Sequence, residues 1–282
     1  MGEMFSLEIR HNIHPEHAKT LDTEGLRREF LVQGLFVPGR VKLVYSHIDR
    51  IIVGGAVPSP ELKLDIDKKL IGAEYLLERR ELGLINLGGP GEVIVDGLSY
   101  PLGRLDSLYV GKGSRSIVLR SRDNGNPAKF YFLSGMAHAT FPTRRVTLEE
   151  ARKIPLGSLE TSNKRTIYQM IHPAVLPTCN LVMGVTCLDV GSVWNTMPPH
   201  THERRMEVYL YFDLPQNAVV FHLIGEPRET RHIVVRNEEA VIAPSWSIHS
   251  GVGTSNYSFV WGMVGENQNF DDMDPVPVEL LR

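Results

Sequence analysis

Between residues 41 and 265 the chain is a succession of short runs rich in Val, Ile, Tyr and Phe, each closed by Gly, Pro, Asn or Asp. VKLVYS, RIIVGGAV, GLINLG, EVIVDG, SLYVG, SIVLRS and KFYFLSG come first, followed by TIYQMI, NLVMGVTCLDVG, MEVYLYFDL, AVVFHLIG, RHIVVR, EAVIAP and YSFVWGMVG. Runs this short, bounded by turn formers, build antiparallel sandwiches or barrels rather than helical bundles or βαβ units. The texture breaks near Thr147, where TLEEARKIPLG reads as a short helix stopped before Pro155 and LGSLETSNKR as a polar connection. The first ~30 residues are also expected to be helical, since HPEHAKTLDTEGLRREFLVQGLF is rich in helix formers with Leu21, Leu26, Phe30 and Leu31 at roughly helical spacing. The expected class is therefore all-β: two barrel or sandwich domains, residues 1–150 and 151–282, with a few short helices. The texture repeats, but no fixed-period repeat is visible.

At 282 residues the chain can bury a sizeable core. Its formal charge of −3 exerts no bulk pull on nucleic acid or anionic lipid, so neither is expected as a partner. No run reaches the roughly 18–20 apolar residues of a membrane helix. MGEMFSLEIRHNIHPEH has no apolar signal-peptide core, so a cytoplasmic location is expected. Cys179 and Cys187, eight apart in TCNLVMGVTC, would lie about 26 Å apart on one strand, too far for a disulfide. They read as buried thiols of a reducing compartment.

The strongest chemical signal is WNTMPPHTHERRMEVYLYF. His200 and His202 are two apart, which places both imidazoles on one face of an extended chain, and Pro198 and Pro199 disfavour a helix there. Glu207 has the opposite parity and can join them only if a turn intervenes, which Glu203, Arg204 and Arg205 could supply. Glu203 is the rival carboxylate, but it sits among arginines and reads as solvated, whereas Glu207 opens a rigid apolar strand. A fourth ligand is expected from a distant strand, and IAPSWSIHSG offers His249. Three imidazoles and a carboxylate suit Zn, Fe, Mn, Co or Ni, and no thiolate chooses between them.

Other signals carry less. His11, His14 and His17 have neither a carboxylate nor a strand frame beside them. GGPGE and VGKGSRS are glycine-rich but lack the G-x4-GK[ST] of a P-loop, and no Rossmann fingerprint follows a strand. Trp194, Trp246 and Trp261 lie near the metal motifs and suit either a pocket wall or the core.

The spacing from Gly191 to Glu207, G-x8-H-x-H-x4-E, and the later P-x-W-x-x-H from Pro244 to His249 resemble the two metal motifs of the cupin superfamily. The glycine lies further from the first His than usual, Trp246 replaces a usual Gly, and the customary Asn is missing. The longer strings SNKRTIYQMIHP, LVMGVTCLDVGSVWNTMPPHTHERRMEVYLYFDLP and WGMVGENQNFDDMD resemble the 5-keto-4-deoxyuronate isomerase family, and the likeness runs over essentially the whole chain. It implies a bicupin-like, homohexameric, metal-dependent ketol-isomerase of pectin-derived uronate catabolism, with one Zn2+ per subunit and a small uronate as substrate. His200, His202, Glu207 and His249 align with the family's zinc ligands.

An N-terminal half with only His47 and His138 between residues 40 and 145 should be metal-free. An aldehyde–hydroxyl to hydroxymethyl–ketone conversion needs a base and an oxyanion stabiliser. Lys164 and Arg165 are candidates for the substrate carboxylate, at most one of Arg204 and Arg205 can face the pocket, and Tyr168 and His172 are acid–base candidates. Nothing in the sequence identifies the base itself. Two rivals share the ligand set: a cupin metal-dependent dioxygenase, and a sugar-acid-binding cupin with a structural metal.

Overall fold

The computed structural model describes residues 5–269 and 271–282. The chain is all-β, with helices over Pro15–Ala18, Thr23–Phe30 and Lys68–Ile71 and a 3-10 turn at Val278–Leu280. A seven-stranded sheet orders Phe5–Arg10, Val41–Ser46, Ile52–Ala56, Phe130–Met136, Arg80–Asn86, Ser107–Val110 and Arg144–Val146. A four-stranded sheet orders Glu61–Lys63, Ile117–Ser121, Gly91–Val95 and Leu98–Leu102. Alternate residues of both enter one apolar cluster that includes Leu43, Leu82, Leu84, Val93, Leu119 and Phe132. Successive side chains of a strand point to opposite faces, so every second residue enters this cluster.

The second pair of sheets repeats the first. Its seven strands run Arg152–Leu156, Arg165–Ile171, Val182–Leu188, Ser258–Gly265, Arg205–Phe212, Glu239–Ala243 and Leu31–Val32. Its four run Trp194–Asn195, Ser250–Gly253, Val220–Glu226 and Glu229–Val235. Strand for strand the chain order matches, except that the seventh strand of the large sheet follows the first barrel but precedes the second. A duplication with drifted loop lengths leaves no fixed period in the sequence, though it is plain in the topology.

The chain divides into two compact units, and the cut is not the expected one at residue 150. Residues 1–10, 34–152 and 169–183 form one unit, and 11–33, 153–168 and 184–282 the other. Hydrogen bonds explain both exchanges. Leu31–Val32 pairs with Ala240 and Val241, and the Gln33 side chain donates to Glu239 at 2.5 Å. In the first unit the buried Glu81 carboxylate accepts the backbone N–H groups of Cys179, Asn180 and Leu181 at 2.7–2.8 Å, and the Tyr109 hydroxyl.

Two local expectations are corrected. The stretch from Thr147 is a turn closed by Glu150, whose side chain accepts the Thr147 N–H, and Arg152–Leu156 is an edge strand that tolerates Pro155. The N-terminal region opens with a strand, Phe5–Arg10, before its helices. Helix Thr23–Phe30 is capped by Asp22, which accepts the Gly25 N–H. Cys179 and Cys187 form no disulfide with each other; Cys179 is buried as expected, whereas Cys187 is half-buried.

Candidate metal centre

His200 lies on a two-residue strand, His200–Thr201, and His202 follows it. Glu203 and Arg204 then turn the chain, closed by the Arg205 N–H on the His202 carbonyl at 3.2 Å. This turn reverses the parity, so Glu207, third residue of strand Arg205–Phe212, faces the same way as the histidines. Glu203 is exposed. His249 arrives from across the barrel, after a turn closed by the Ser247 N–H on the Pro244 carbonyl and immediately before strand Ser250–Gly253.

The ligand atoms of His200, His202, Glu207 and His249 lie within 4.8 Å of one another. Nε2 of His249 is 2.9 Å from Nε2 of His200 and 3.0 Å from Oε2 of Glu207, which is 3.1 Å from Nε2 of His202. Donor atoms of a four-coordinate ion bound at about 2.0–2.1 Å stand roughly 3.3 Å apart, so the spacing fits a metal's first shell. The far nitrogens are held: Nδ1 of His202 lies 2.9 Å from the Arg205 carbonyl and Nδ1 of His249 3.4 Å from that of Ser247. Both rings are thereby oriented with Nε2 inward. Among the described residues no other group of three or more His, Cys, Asp or Glu converges in this way.

The electrostatics favour a cation. Burial alone would raise the Glu207 carboxyl, but the charge of His249 and hydrogen bonds from His202 and His249 hold it well below the usual carboxylate range. Burial pushes His200 down to about 3, with His249 adding to the effect, so its ring is neutral and free to ligate. At His202 burial works against the charged form, but the hydrogen bond to Glu207, the Glu207 charge and the Arg205 carbonyl together outweigh it, and the net shift is upward.

Beside the four residues opens a pocket of about 200 Å³. Its polar wall carries Arg165, Thr186, Asn195, Thr196, Arg205 and Tyr209, and its apolar wall includes Leu156, Ile167, Phe259, Trp261 and Met273. Arg165 donates through Nη1 to the Asn163 carbonyl at 2.8 Å, and its Nε is buried with no partner among the described residues. Burial pushes its guanidinium down from its ordinary value. Tyr209 is buried and its hydroxyl is driven well above its usual range, first by burial and then by the Glu207 charge.

Of Lys164, Arg165, Tyr168 and His172, Arg165 alone lines the pocket. Alternation along strand Arg165–Ile171 turns Arg165 and Ile167 inward and Tyr168 away. His172 lies past the strand end, buried, with Nδ1 accepting the Ala174 N–H, and belongs to the other compact unit. Lys164 is exposed and pairs with Asp189 at 3.1 Å. Arg205 lines the pocket, whereas Arg204 points out to Asp272. Trp261 is in the lining, while Trp246 packs edge-on against Phe30. Asn195, Thr196 and Thr186 were not anticipated, because single polar residues inside apolar runs carry no spacing signal.

A C-terminal strap completes the site. Asp274–Pro275 pairs with His200–Thr201, and the Val276 N–H donates to the Pro199 carbonyl at 2.9 Å. Buried Arg205 donates to the carbonyls of Asn269 and Asp272 at 2.7 and 2.9 Å, and Met273 reaches the pocket wall.

Among the described residues the arrangement of three histidines and a carboxylate has no counterpart in the first barrel. Arg80 and Arg205 each open a strand opposite the last residue of its neighbour, Met136 and Gly265. Counting from them, Leu82 and Leu84 stand where Glu207 and Tyr209 stand. The interior there is apolar.

Comparison with known proteins gives a consistent picture. Residues 30–276 match the KduI/IolB family. A 4-deoxy-L-threo-5-hexosulose-uronate ketol-isomerase from Pectobacterium carotovorum subsp. carotovorum is 54% identical over 278 residues, covering 98% of this chain and 100% of that protein. Among solved structures, an IolB-like protein from Salmonella typhimurium LT2 aligns with a TM-score of 0.67 at 13% identity, over 80% of this chain and 87% of that one. An oxalate decarboxylase aligns with a TM-score of 0.56 at 10% identity, over 80% and 71%. These last two speak for the fold, which is cupin-like.

Proposed function

Because this chain belongs to the KduI/IolB family, we propose that its pocket carries out the aldose–ketose isomerisation for which its close relatives are named. The chain is an isomerase of uronate catabolism, a 5-keto-4-deoxyuronate isomerase. The substrate, 5-dehydro-4-deoxy-D-glucuronate, becomes 3-deoxy-D-glycero-2,5-hexodiulosonate. The proton on C2 leaves, a proton is delivered to C1, and the hydroxyl proton of O2 is exchanged for one on O1. No oxidant is consumed, which sets this reaction apart from a dioxygenase built on the same ligands.

The observation that carries the site assignment is the convergence of His200, His202, Glu207 and His249 beside a pocket lined by Arg165, whose Nε is buried with no hydrogen-bond partner among the described residues. These four residues would hold a divalent metal, and we assign Zn2+, one per subunit. Bound there, the ion would act as a Lewis acid toward the substrate's adjacent oxygens. Arg165 receives the substrate carboxylate, since its planar fork suits that group and its Nε lacks another partner. Glu207 is the one carboxylate in the lining, so it is the group placed to move the proton between C2 and C1. Tyr209, held protonated, donates a hydrogen bond to a substrate oxygen. The apolar wall faces the C4 methylene.

Pectin-derived uronate supply, a cytoplasmic location and a homohexamer belong to the same reading, as does the division of labour between a metal-free N-terminal domain and a metal-bearing C-terminal one. The family resemblance supports the first three, and the apolar interior of the first barrel supports the last. No helix among the described residues is long and apolar enough to cross a membrane.

The test is to follow the substrate aldehyde proton by NMR with catalytic amounts of protein, with and without chelator, while monitoring O2. Chelator-sensitive conversion without O2 uptake is expected. O2 uptake would favour the dioxygenase, and conversion surviving verified metal removal would reduce the metal to a structural clip.

A further inference from the structure

The first barrel has no metal ligands, yet its mouth is not inert. Strand Arg80–Asn86 starts there opposite the end of Phe130–Met136, with Tyr45 near the end of Val41–Ser46. At this rim lies a cavity of about 240 Å³, lined by Tyr45, Arg50, Leu76, Arg79, Arg80 and Met136 among others. Arg80 is 4% exposed. Its Nη1 donates to the carbonyls of Arg50 and Ser134 at 2.8 and 3.2 Å, and its guanidinium lies 5.4 Å from the Tyr45 ring centre.

All of these partners are neutral. Arg50 reaches only the imidazole of His47, at 3.3 Å. Arg79 is exposed at the rim, and among the described residues no carboxylate lines the cavity. Three guanidiniums around one recess repel one another, and a buried cation without a counter-charge is costly. Burial, with a further contribution from Arg50, does lower the tendency of Arg80 to hold its charge. The usual reason for a protein to keep such an arrangement is an anion. Leu76, Tyr45 and Met136 add apolar surface, which suits a small organic skeleton rather than a bare solvated ion. Topology strengthens the point. Arg80 occupies the strand position of Arg205, whose barrel mouth holds the metal pocket.

We propose that the mouth of the first barrel is a second ligand site, in which Arg80, Arg50 and Arg79 bind the oxyanion group, carboxylate or phosphate, of a small metabolite.

The test is calorimetric titration of the metal-loaded protein with D-galacturonate and, separately, with inorganic phosphate. Wild type, the double variant Arg50→Gln/Arg79→Gln, and Arg165→Ala are compared, with circular dichroism to verify folding. Arg50 and Arg79 are exposed, so the double variant should fold and isomerise as wild type does. Saturable binding weakened at least tenfold in the double variant but kept in Arg165→Ala is the expected result. The probe that binds then tells carboxylate from phosphate. No saturable binding of either probe to wild type would overturn the proposal. So would binding indifferent to Arg50 and Arg79, or binding lost only in Arg165→Ala, which would place the anion in the metal pocket.

Discussion

At the scale of single residues, the candidate metal centre gathers four side chains whose ligand atoms lie within 4.8 Å of one another. His249 stands immediately before a separate strand, Ser250–Gly253, with Nε2 close to His200 and Glu207. His249→Ala should therefore lose metal, weakening affinity by more than about 100-fold, while the circular dichroism stays native. Plasma emission analysis after dialysis measures it, and full metal content would dismiss His249 as a ligand. Arg165 tests a different function. A charge-assisted bidentate contact contributes about 1.5–3 kcal/mol, so Arg165→Ala should raise KM roughly 10–100-fold and leave metal content alone. Wild-type kinetics in that variant would send the substrate carboxylate elsewhere. His200, His202, Glu207 and His249 were legible because their spacing is itself geometric information. Tyr168 and His172 were not separable from Arg165 in the same string, because strand parity and strand end decide which of them reaches the pocket.

At the scale of elements, the turn at Glu203–Arg204 and the C-terminal strap at residues 271–276 do the positioning. The histidine-bearing strand His200–Thr201 has Asp274–Pro275 as its strand partner. Deleting residues 266–282 should leave both barrels folded but let His200 move, weakening metal retention at least tenfold in a chelator competition. Unchanged competition would make the strap a covering only. Glu81 plays the corresponding part in the other unit, fastening Cys179, Asn180 and Leu181 to strand Arg80–Asn86. Glu81→Gln puts an amide N–H against backbone N–H groups and removes a buried charge from three donors. A loss of about 2–4 kcal/mol is expected in urea unfolding. The sheet runs were readable from their Val, Ile, Tyr and Phe content and the turn formers that close them. The Thr147 stretch was not, because its charged residues favour helix locally, while Glu150 closes a turn on Thr147 and an open sheet edge claims Arg152–Leu156 as a strand.

At the scale of the whole molecule, acid stability follows from histidines buried in neutral form. Burial pushes His172 from near 6.5 down to about 4, with Arg152 adding to the effect. A depressed histidine takes up its proton more readily in the unfolded chain, so its contribution favours unfolding as pH falls through about 6.5 toward 4. The cost reaches on the order of 3 kcal/mol at pH 4. In metal-free protein, His172→Gln should flatten the fall of Tm across that window, and an unchanged slope would remove His172 from the account. Light scattering checks the hexamer: a mass near six times 31.7 kDa is expected.

What the amino-acid order determined by itself was local and periodic: strand runs, turns, an all-β class, and a metal motif whose members lie close in the chain or carry their own signature. What only tertiary structure decided was long-range. The duplication of sheet order, the exchange of residues 11–33 and 169–183 between units, the strap over His200 and the arginine-lined mouth all join residues far apart in the chain. The physical reason is that side-chain alternation and turn chemistry act over a few residues and leave a mark in the sequence. Hydrogen bonds and burial between distant segments depend on which sheet edge is open and which face is free, and this exists only once the barrels have closed.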